Sequence, residues 1–371
     1  MYDLASEFYL KQLASEVSKL PEDGFMVLTE IESEFGNFIA RSVDKRPYYM
    51  ETVFPLKREI TIPNKYVQNE IEALNTYSSL VDTRRVYPPG SEWMYFKIYG
   101  MNSRADEWVG AELSRFIREM EEKAFDLFFF VRYADPHAHM RLRFKGKPDI
   151  LRNILLPAFH SWMKQLNSKG MSTKYSLDSY DPEIERYGGP ALIGRAEELF
   201  DADSRFVSNC IEFSQRKDAM LTVENIGVIN VINYVAAFYP NFRDQLDWLN
   251  RMTSIKKYTK EFRRHRSLYM KIGNDSENWS NLRSLEEGDH VFRQFQYRSK
   301  QMETYLKEMR RTEKLYNKPD RILSSFIHLS LNRLIGVNQS LEEKIMAFAC
   351  HTLHNLRYIK EEKGLKIHVE I

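Results

Sequence analysis

Cysteine is scarce in this chain of 371 residues, which contains only Cys210 and Cys350. Two cysteines far apart in helical-looking sequence form neither a disulfide framework nor a zinc-binding spacing, and they fit a reducing cytoplasm. An excess of one charge is also lacking, because the net charge is only +2. We therefore expect no direct nucleic-acid binding, although a local basic pocket is compatible with this composition.

Long apolar runs are absent as well. The most apolar stretches, 124–131 and 226–239, are shorter than the roughly 18 residues of a membrane span, and Asn230 and Asn233 interrupt the second. The N-terminus has early acidic residues and no uninterrupted apolar stretch, unlike a signal peptide. No GxSxG, Walker or GxGxxG motif occurs, so serine-hydrolase and nucleotide-binding functions have no local support. We expect a soluble cytoplasmic protein.

The hydrophobic pattern predicts an α+β fold, with an N-terminal mixed or antiparallel sheet and flanking helices followed by a mostly helical C-terminal half. A Pro-Pro-Gly stretch within 86–91 predicts a linker, which divides the chain into domains 1–89 and 90–371. The predicted strands are 24–32, 37–42, 48–54, 93–99, 125–133, 138–145 and 172–179. The predicted helices are 4–19, 63–81, 103–121, 150–167, 190–214, 221–239, 241–265, 288–315, 319–336 and 340–361, with a loop at 273–281.

The predicted strand 138–145 carries the first candidate site. Its side chains alternate, so His139, Arg141 and Arg143 share one face while the apolar residues between them can enter the core. Neighbouring guanidinium groups repel each other and do not lose their protons. Such a face is best explained by opposing carboxylates or an anionic ligand. An exposed strand face or an arginine–glutamate network accounts for the pattern as well.

The segment 180–189 is a second candidate. Pro182 suits the first turn of a short helix, and Arg186 then falls on the same face as Glu183. This arrangement fits either a surface ion pair or a functional arginine. The double glycine at 188–189 ends the helix, and it fits a close backbone approach or an unusual turn.

A third candidate is His328, which shares a helical face with Asn332 beside an apolar stripe in 324–336. A histidine in such a place is most often a packing residue, but imidazole titrates near neutral pH and suits proton transfer. The sequence CHTLH at 350–354 lacks a convincing fourth ligand for structural zinc. We expect no metal and no cofactor.

Five phrases, in order, resemble the C-terminal elimination domain of class I lantibiotic dehydratases, also called the thiopeptide-type bacteriocin biosynthesis domain. They are PPGSEWMYFKIY at 88–99, FFFVRYADPHAHMRLRF at 128–144, YDPEIERYGGP at 180–190, AEELFDADS at 196–204 and SSFIHLSLNRLIG at 324–336. Long, unusual phrases in register over about 90–371 make the match specific. Residues 25–60, including METVFPLKREI, are more weakly similar to the last strands of the preceding glutamylation domain. The resemblance implies the stand-alone elimination protein of a split dehydratase.

In this family, a partner protein esterifies Ser or Thr of a ribosomally made precursor peptide with glutamate from glutamyl-tRNA. The elimination domain then removes the α-proton and expels glutamate, which leaves dehydroalanine or dehydrobutyrine. By resemblance, the catalytic residues are Arg141, Arg143, Arg186 and His328. Arginine is a poor base, so His328 is the candidate for proton transfer as base or acid. Arg132 and His139, in the same motif, are assigned supporting roles in substrate binding.

Two alternatives to elimination stay open. A related stand-alone branch performs the formal [4+2] cyclisation that builds the pyridine of thiopeptides, but it tends not to retain the full set of three arginines and one histidine. A non-catalytic peptide-binding scaffold would not need a buried His–Arg cluster. The implied partners are a precursor peptide, with a leader and a core rich in Ser, Thr and Cys, and a separate tRNA-dependent glutamylating protein. The resemblance also suggests a homodimer or a complex with that partner.

Overall fold

The computed structural model describes residues 86–367 except Lys217. The elements predicted at 4–19, 24–32, 37–42, 48–54 and 63–81 lie outside the described residues. In the described part, a small sheet comes first and is followed by a long helical region. This order confirms the predicted α+β class.

The sheet contains four antiparallel strands in the order β2-β3-β1-β4. The strands are β1 (Trp93–Tyr99), β2 (Leu127–Tyr133), β3 (His139–Lys145) and β4 (Lys174–Asp178). Strands β2 and β3 are consecutive antiparallel neighbours and form a hairpin. Arg141 lies opposite Val131 of β2 and Lys97 of β1, so the odd-numbered residues of β3 share a face with these neighbours.

Helices flank the sheet and, with the loops that connect them, form most of the rest of the described chain. They are α1 (Ala105–Glu107), α2 (Ser114–Met120), α3 (Pro148–Ile150), α4 (Leu156–Ser168), α5 (Ile193–Ser214), α6 (Val223–Phe238), α7 (Phe242–Met252), α8 (Thr259–Arg264), α9 (Arg266–Ile272), α10 (Ser276–Arg283), α11 (Glu286–Arg311), α12 (Pro319–Ile335) and α13 (Gln339–Ile367). The π-helical segments Trp108–Leu113 and Leu151–Leu155 join α1 to α2 and α3 to α4. None of the described helices is long and apolar enough to cross a membrane.

The apolar face of β3 enters the core as predicted. Met140, Leu142 and Phe144 are all buried. On the same face, Phe96 of β1 stacks on Phe159 of α4, with ring centroids 3.6 Å apart. Burial of these side chains leaves the opposite face of β3 to form the candidate site.

Side chains from two helices form hydrogen bonds with the main-chain groups at the outer edge of strand β2. From α5, the Asp201 carboxylate accepts the main-chain N–H of Phe128 (3.0 Å), and the Ser204 hydroxyl accepts that of Phe130 (3.3 Å). An unpaired strand edge would leave such donors without partners. Side chains of α5 therefore accept the hydrogen bonds that a further neighbouring strand would otherwise accept.

Helix α12 continues this edge pairing. Asn332 accepts the main-chain N–H of Arg132 (2.9 Å) and donates to its carbonyl oxygen (3.0 Å). Arg333 donates from Nε to the carbonyl oxygen of Phe130 (2.8 Å). The helix that carries His328 is thus held in register with the sheet.

A buried ionic network lies behind this junction. The Asp203 carboxylate accepts hydrogen bonds from Arg298 (2.9 Å) and Arg333 (2.8 Å), and all three side chains are almost inaccessible to solvent. The side-chain oxygens of Asn230 and Asn233 also accept from Arg298. The two asparagines that interrupt the apolar run of α6 therefore satisfy a buried guanidinium.

The predicted single helix at 241–265 is wrong. Helix α7 ends at Met252, where Thr253 adopts an extended conformation, and α8 begins only at Thr259. Tyr258, at the start of α8, is left-handed with a φ of 57°. A left-handed non-glycine residue cannot continue a right-handed helix, so the chain forms two short helices separated by a loop.

The predicted loop at 273–281 is also partly wrong. The chain is helical over Ser276–Arg283, although residues 277–279 form a left-handed turn inside this segment. Trp279 and Leu282 are buried there. Most residues around these two apolar side chains are polar, so the sequence pattern indicated a loop.

Candidate active site

A cleft of about 1500 Å³ opens beside the polar face of β3. The predicted catalytic residues that line it are Arg141, Arg143, Arg186 and His328. They come from β3, from the segment before α5 and from α12. The fold therefore brings three distant segments of sequence to one cavity, which is larger than a typical small-molecule site and has room for a peptide.

Arg143 is a buried cation of the cleft, with 9% of its surface exposed. Its guanidinium carbon lies over the rings of Tyr95 (4.3 Å), Tyr180 (5.2 Å) and Phe129 (5.3 Å). Burial lowers the pKa of this group, but a guanidinium stays charged in proteins. Its Nε atom has no hydrogen-bond acceptor among the described residues.

Arg141 extends the positive charge along the strand. Its guanidinium carbon lies 3.4 Å from the centre of the Tyr133 ring, and its Nε donates to Nε2 of His139 (3.1 Å). No carboxylate in the described part of the chain forms an ion pair with Arg141 or Arg143. Two neighbouring cations without a counter-charge favour an anionic ligand.

His139 contacts Arg141 directly. Its Nδ1 donates to the carbonyl oxygen of His137 (2.8 Å), which leaves Nε2 to accept from Arg141. Burial lowers the pKa of His139, and the charges of Arg141 and Lys97 lower it further, against the effect of the His137 carbonyl. A neutral imidazole is therefore favoured, and it orients the arginine.

Arg186 is held by two neighbours. Its Nη1 donates to Glu183 (2.9 Å), which confirms the predicted ion pair, and its Nε donates to the Ser325 hydroxyl of α12 (3.1 Å). Burial acts to lower the pKa of Arg186, but Tyr187 and Glu183 together raise it. Arg186 also lines the cleft while it is paired with Glu183, and its functional role stays a prediction.

The segment around Arg186 does not form the predicted helix from Pro182. Only Glu185–Tyr187 is helical, as a single 3₁₀ turn. Gly188 and Gly189 follow with φ values of 93° and 114°, and a Cβ atom on Gly189 would collide with the ring of Tyr316. Both features that fit the double glycine, a close backbone approach and an unusual turn, are therefore present.

His328 also lines this cleft, but it is not buried as expected for the His–Arg cluster. Its side chain is 49% exposed, and its Nδ1 lies 2.8 Å from Oε1 of Glu342 on α13. One turn along α12 from His328, Asn332 pairs with the main chain of β2. The histidine is therefore placed relative to the arginines by the same helix that completes the sheet edge.

Arg132 also lines the cleft. It lies on the opposite face of β2 from Val131, the residue that is paired with Arg141. It forms an ion pair with Asp106 (2.5 Å). Burial lowers the pKa of Arg132, and Asp106 partly offsets this. His139 is not among the lining residues. The supporting roles of Arg132 and His139 in substrate binding stay predictions.

The CHTLH segment makes protein contacts of its own. Nε2 of His351 lies 3.0 Å from the carbonyl oxygen of Lys257, and Nε2 of His354 lies 2.8 Å from Oδ1 of Asn250. Among residues 86–367 that the structure describes, no group of three His, Cys, Asp or Glu side chains is placed to hold a metal ion.

The family model for the C-terminal region of the lantibiotic biosynthesis dehydratase matches residues 93–353. The chain belongs to this family. Subtilin biosynthesis protein SpaB of Bacillus subtilis is 30% identical over 370 residues, which are 98% of this chain and 35% of that protein. Nisin biosynthesis protein NisB of Lactococcus lactis subsp. lactis is 26% identical over 282 residues, 75% of this chain and 26% of that protein. The chain thus spans about a third or less of the length of these relatives.

Two solved structures share the fold of this dehydratase-family chain. The tRNA-dependent lantibiotic dehydratase MibB from Microbispora sp. 107891 superposes with a TM-score of 0.68 at 23% identity, over 73% of this chain and 29% of that one. The pyridine synthase TbtD from thiomuracin biosynthesis superposes with a TM-score of 0.53 at 12% identity, over 72% of this chain and 100% of that one. At these identities the likeness concerns the fold alone.

In this member of the dehydratase family, sequence reasoning missed the residues that surround Arg143. Tyr180 packs against the guanidinium and donates its hydroxyl to Glu197 (3.0 Å). Burial raises the pKa of both groups, that of Tyr180 well above 10. Both residues lie within the quoted phrases 180–190 and 196–204, which is the one signal that could have pointed to them.

Proposed function

We propose that this chain eliminates glutamate from glutamylated Ser or Thr of a ribosomally made precursor peptide, during lanthipeptide or thiopeptide biosynthesis. The observation that carries the proposal is the pair Arg141 and Arg143, which lacks a described counter-ion and lines the same cleft as His328. Family membership supports it, since the matching model is that of a dehydratase. The proposed enzyme is a lyase without a cofactor.

The reaction creates negative charge at two places. A base takes the α-proton, the electron pair of the Cα–H bond forms the Cα=Cβ bond, and the Cβ–O ester bond breaks. The departing glutamate keeps the bonding electrons as a carboxylate, and the proton stays on the base. The enolate oxygen that develops during proton removal and the leaving carboxylate both need cations.

The arginines suit these demands. A preorganised donor aimed at developing charge lowers a barrier by roughly 3 kcal/mol, and Arg141 and Arg143 are held by aromatic rings and by His139 before any ligand arrives. Arg186 offers a third cation. We assign proton transfer to His328, either from Cα or to the leaving glutamate, because arginine is a poor base.

The remaining assignments are part of the same proposal. Arg132 and His139 would support substrate binding, His139 by orienting Arg141. A separate tRNA-dependent protein would supply the glutamyl ester, and the precursor peptide would enter the cleft. Residues 90–371 would form the elimination domain, and 1–89 an extension that resembles the end of a glutamylation domain.

The direct test uses a precursor peptide that carries one glutamylated Ser. We expect the purified chain to release free glutamate and to leave a peptide lighter by one water than the unmodified peptide, as measured by mass spectrometry. Recovery of the intact glutamyl adduct under all conditions would overturn the proposal. Binding of the peptide without conversion would instead favour a scaffold.

The second candidate function is cyclisation, because a pyridine synthase shares the fold. It is tested with a different substrate. A peptide that already bears two dehydroalanines is offered to the chain, and the product is analysed for a pyridine-containing macrocycle. We expect no such product, since cyclisation of this kind expels no glutamate and has less use for a cluster of arginines. Formation of the macrocycle would assign the chain to cyclisation.

A further inference from the structure

The geometry points to Glu342 as the residue that positions His328 for proton transfer. This inference rests on the proposed function, because it concerns the same cleft and the same reaction. No local sequence pattern links the two residues, which lie 14 positions apart on different helices. The contact exists because α12 and α13 pack together.

The placement of Glu342 is well defined. It lies in the first turn of α13, and its main-chain N–H donates to the carbonyl oxygen of Asn338 (3.0 Å). The turn between the helices begins at Gly336, which has a φ of 73°. Glu342 is 26% exposed, and its Oε1 lies 2.8 Å from Nδ1 of His328.

This contact selects one form of the neutral imidazole. An ionised carboxylate can only accept hydrogen bonds, so the proton of a neutral His328 lies on Nδ1 and the lone pair lies on Nε2. Nε2 is then the atom that can take a proton from substrate. When it does, Nδ1 keeps its hydrogen bond, which becomes charge-assisted and stabilises the imidazolium. In this role Glu342 acts through His328.

Neighbouring carboxylates have other partners. Glu343, the next residue on α13, pairs with Lys257, and Glu183 pairs with Arg186. His139 is not equivalent to His328, because its Nε2 already accepts a hydrogen bond from Arg141. Within the described part of the chain, His328 combines a carboxylate on Nδ1 with a place on the cleft wall.

The first experiment reads the tautomer directly. The full chain is labelled with ¹⁵N-histidine, the His328 signals are assigned with a His328→Gln variant, and the ring nitrogen shifts are measured at alkaline pH. We expect protonated Nδ1 in the wild type and in Glu343→Gln, and a shift toward protonated Nε2 in Glu342→Ala. An unchanged tautomer in Glu342→Ala would overturn the inference, whatever the activity.

The second experiment asks whether this positioning matters for glutamate release. Removing the carboxylate behind a buried triad histidine costs ~10⁴-fold in kcat. For this half-exposed pair we expect a smaller loss in kcat, between about 10- and 10²-fold, with little change in KM. Glu342→Asp, which keeps a carboxylate, should recover part of the rate. Full activity in Glu342→Ala with a changed tautomer would also contradict the positioning role.

The two experiments separate the inference from the proposed function. If the wild type never releases glutamate, the proposed function fails, but the tautomer measurement still tells whether Glu342 orients His328. If the wild type releases glutamate and the tautomer does not depend on Glu342, only the inference fails.

Discussion

The side-chain amide of Asn332 forms both main-chain hydrogen bonds of Arg132, one as acceptor (2.9 Å) and one as donor (3.0 Å). A side chain from a helix thereby takes the place of a neighbouring strand. Because His328 lies one turn earlier on the same helix, this contact also sets where the histidine stands relative to the arginines of β3.

We expect Asn332→Ala to lower the free energy of unfolding by about 1–3 kcal/mol, since two buried main-chain groups lose their partner. The glutamate-release rate should fall as well, because α12 is no longer held to the strand. Urea denaturation and the glutamate-release assay measure the two effects. Gln165→Ala, which removes an exposed amide, is the control and should change neither. Equal stability of both variants would contradict the edge-pairing role.

Replacing Arg143 should separate catalysis from folding. We expect Arg143→Ala to let glutamylated peptide accumulate, with the rate of glutamate release lowered by about 10²–10³-fold, because a preorganised donor is lost. Arg143→Lys keeps the charge but not the planar fork, so it should recover only part of the rate.

The matched control for this prediction is Arg195→Ala, which removes an exposed arginine paired with Glu198 away from the cleft. It should leave the rate unchanged. Mass spectrometry of the peptide follows the reaction, and thermal unfolding checks that each variant is folded. Normal release of glutamate by a folded Arg143→Ala variant would remove Arg143 from the proposed site.

His139 predicts a pH dependence of stability. Burial holds its folded-state pKa below the ordinary value of 6.5, so the unfolded chain binds more protons below that pH. The stabilising contribution is present above pH 6.5 and is lost as the pH falls toward the folded-state pKa. His139→Gln removes the titrating group but keeps an acceptor for Arg141, so the variant should lose less stability on acidification.

Denaturant titrations at several pH values between about 7 and 5 measure this slope. Part of it should persist in the variant, since burial also lowers the pKa of His290 and His354. His160→Gln, at an exposed position, serves as the control and should keep the wild-type slope. Parallel slopes for His139→Gln and the wild type would count against a buried neutral imidazole.

The buried carboxylate of Asp203 should be essential for stability. Asp203→Asn leaves Arg298 and Arg333 without a counter-charge in the core, and we expect a loss of about 3–5 kcal/mol in the free energy of unfolding. Glu198→Gln, which breaks an exposed ion pair, should cost less than about 1 kcal/mol. Similar unfolding midpoints for the two variants would show that the network contributes little.

Some features of the fold and site follow from local chemistry and were predictable. Strand alternation placed His139, Arg141 and Arg143 on one face of β3 and their apolar neighbours in the core, and the structure has this arrangement. The double glycine at 188–189 likewise indicated a close backbone approach or an unusual turn, and the structure has both, with the ring of Tyr316 close to Gly189 and positive φ angles at both glycines. In these cases the period of a strand or the absence of a Cβ atom decides the outcome.

Other predictions failed where local pattern conflicted with packing. The helix predicted over 241–265 breaks between Met252 and Thr259. The segment predicted as a loop at 273–281 enters a helical segment at Ser276, with a left-handed turn at 277–279, and Trp279 and Leu282 are buried there. Periodicity records which residues could face a core, but it does not record which neighbouring element supplies that core.

The sequence by itself determined the α+β order of elements, the polar face of β3 and the motifs typical of the dehydratase family. Only the tertiary structure decided that the Arg141–Arg143 pair and His328 share a cleft, that Asn332 completes the edge of β2, and that Glu342 stands behind the histidine. The physical reason is that these contacts join residues from separate elements. Their formation depends on how helices and strands pack, and no spacing in the sequence encodes it.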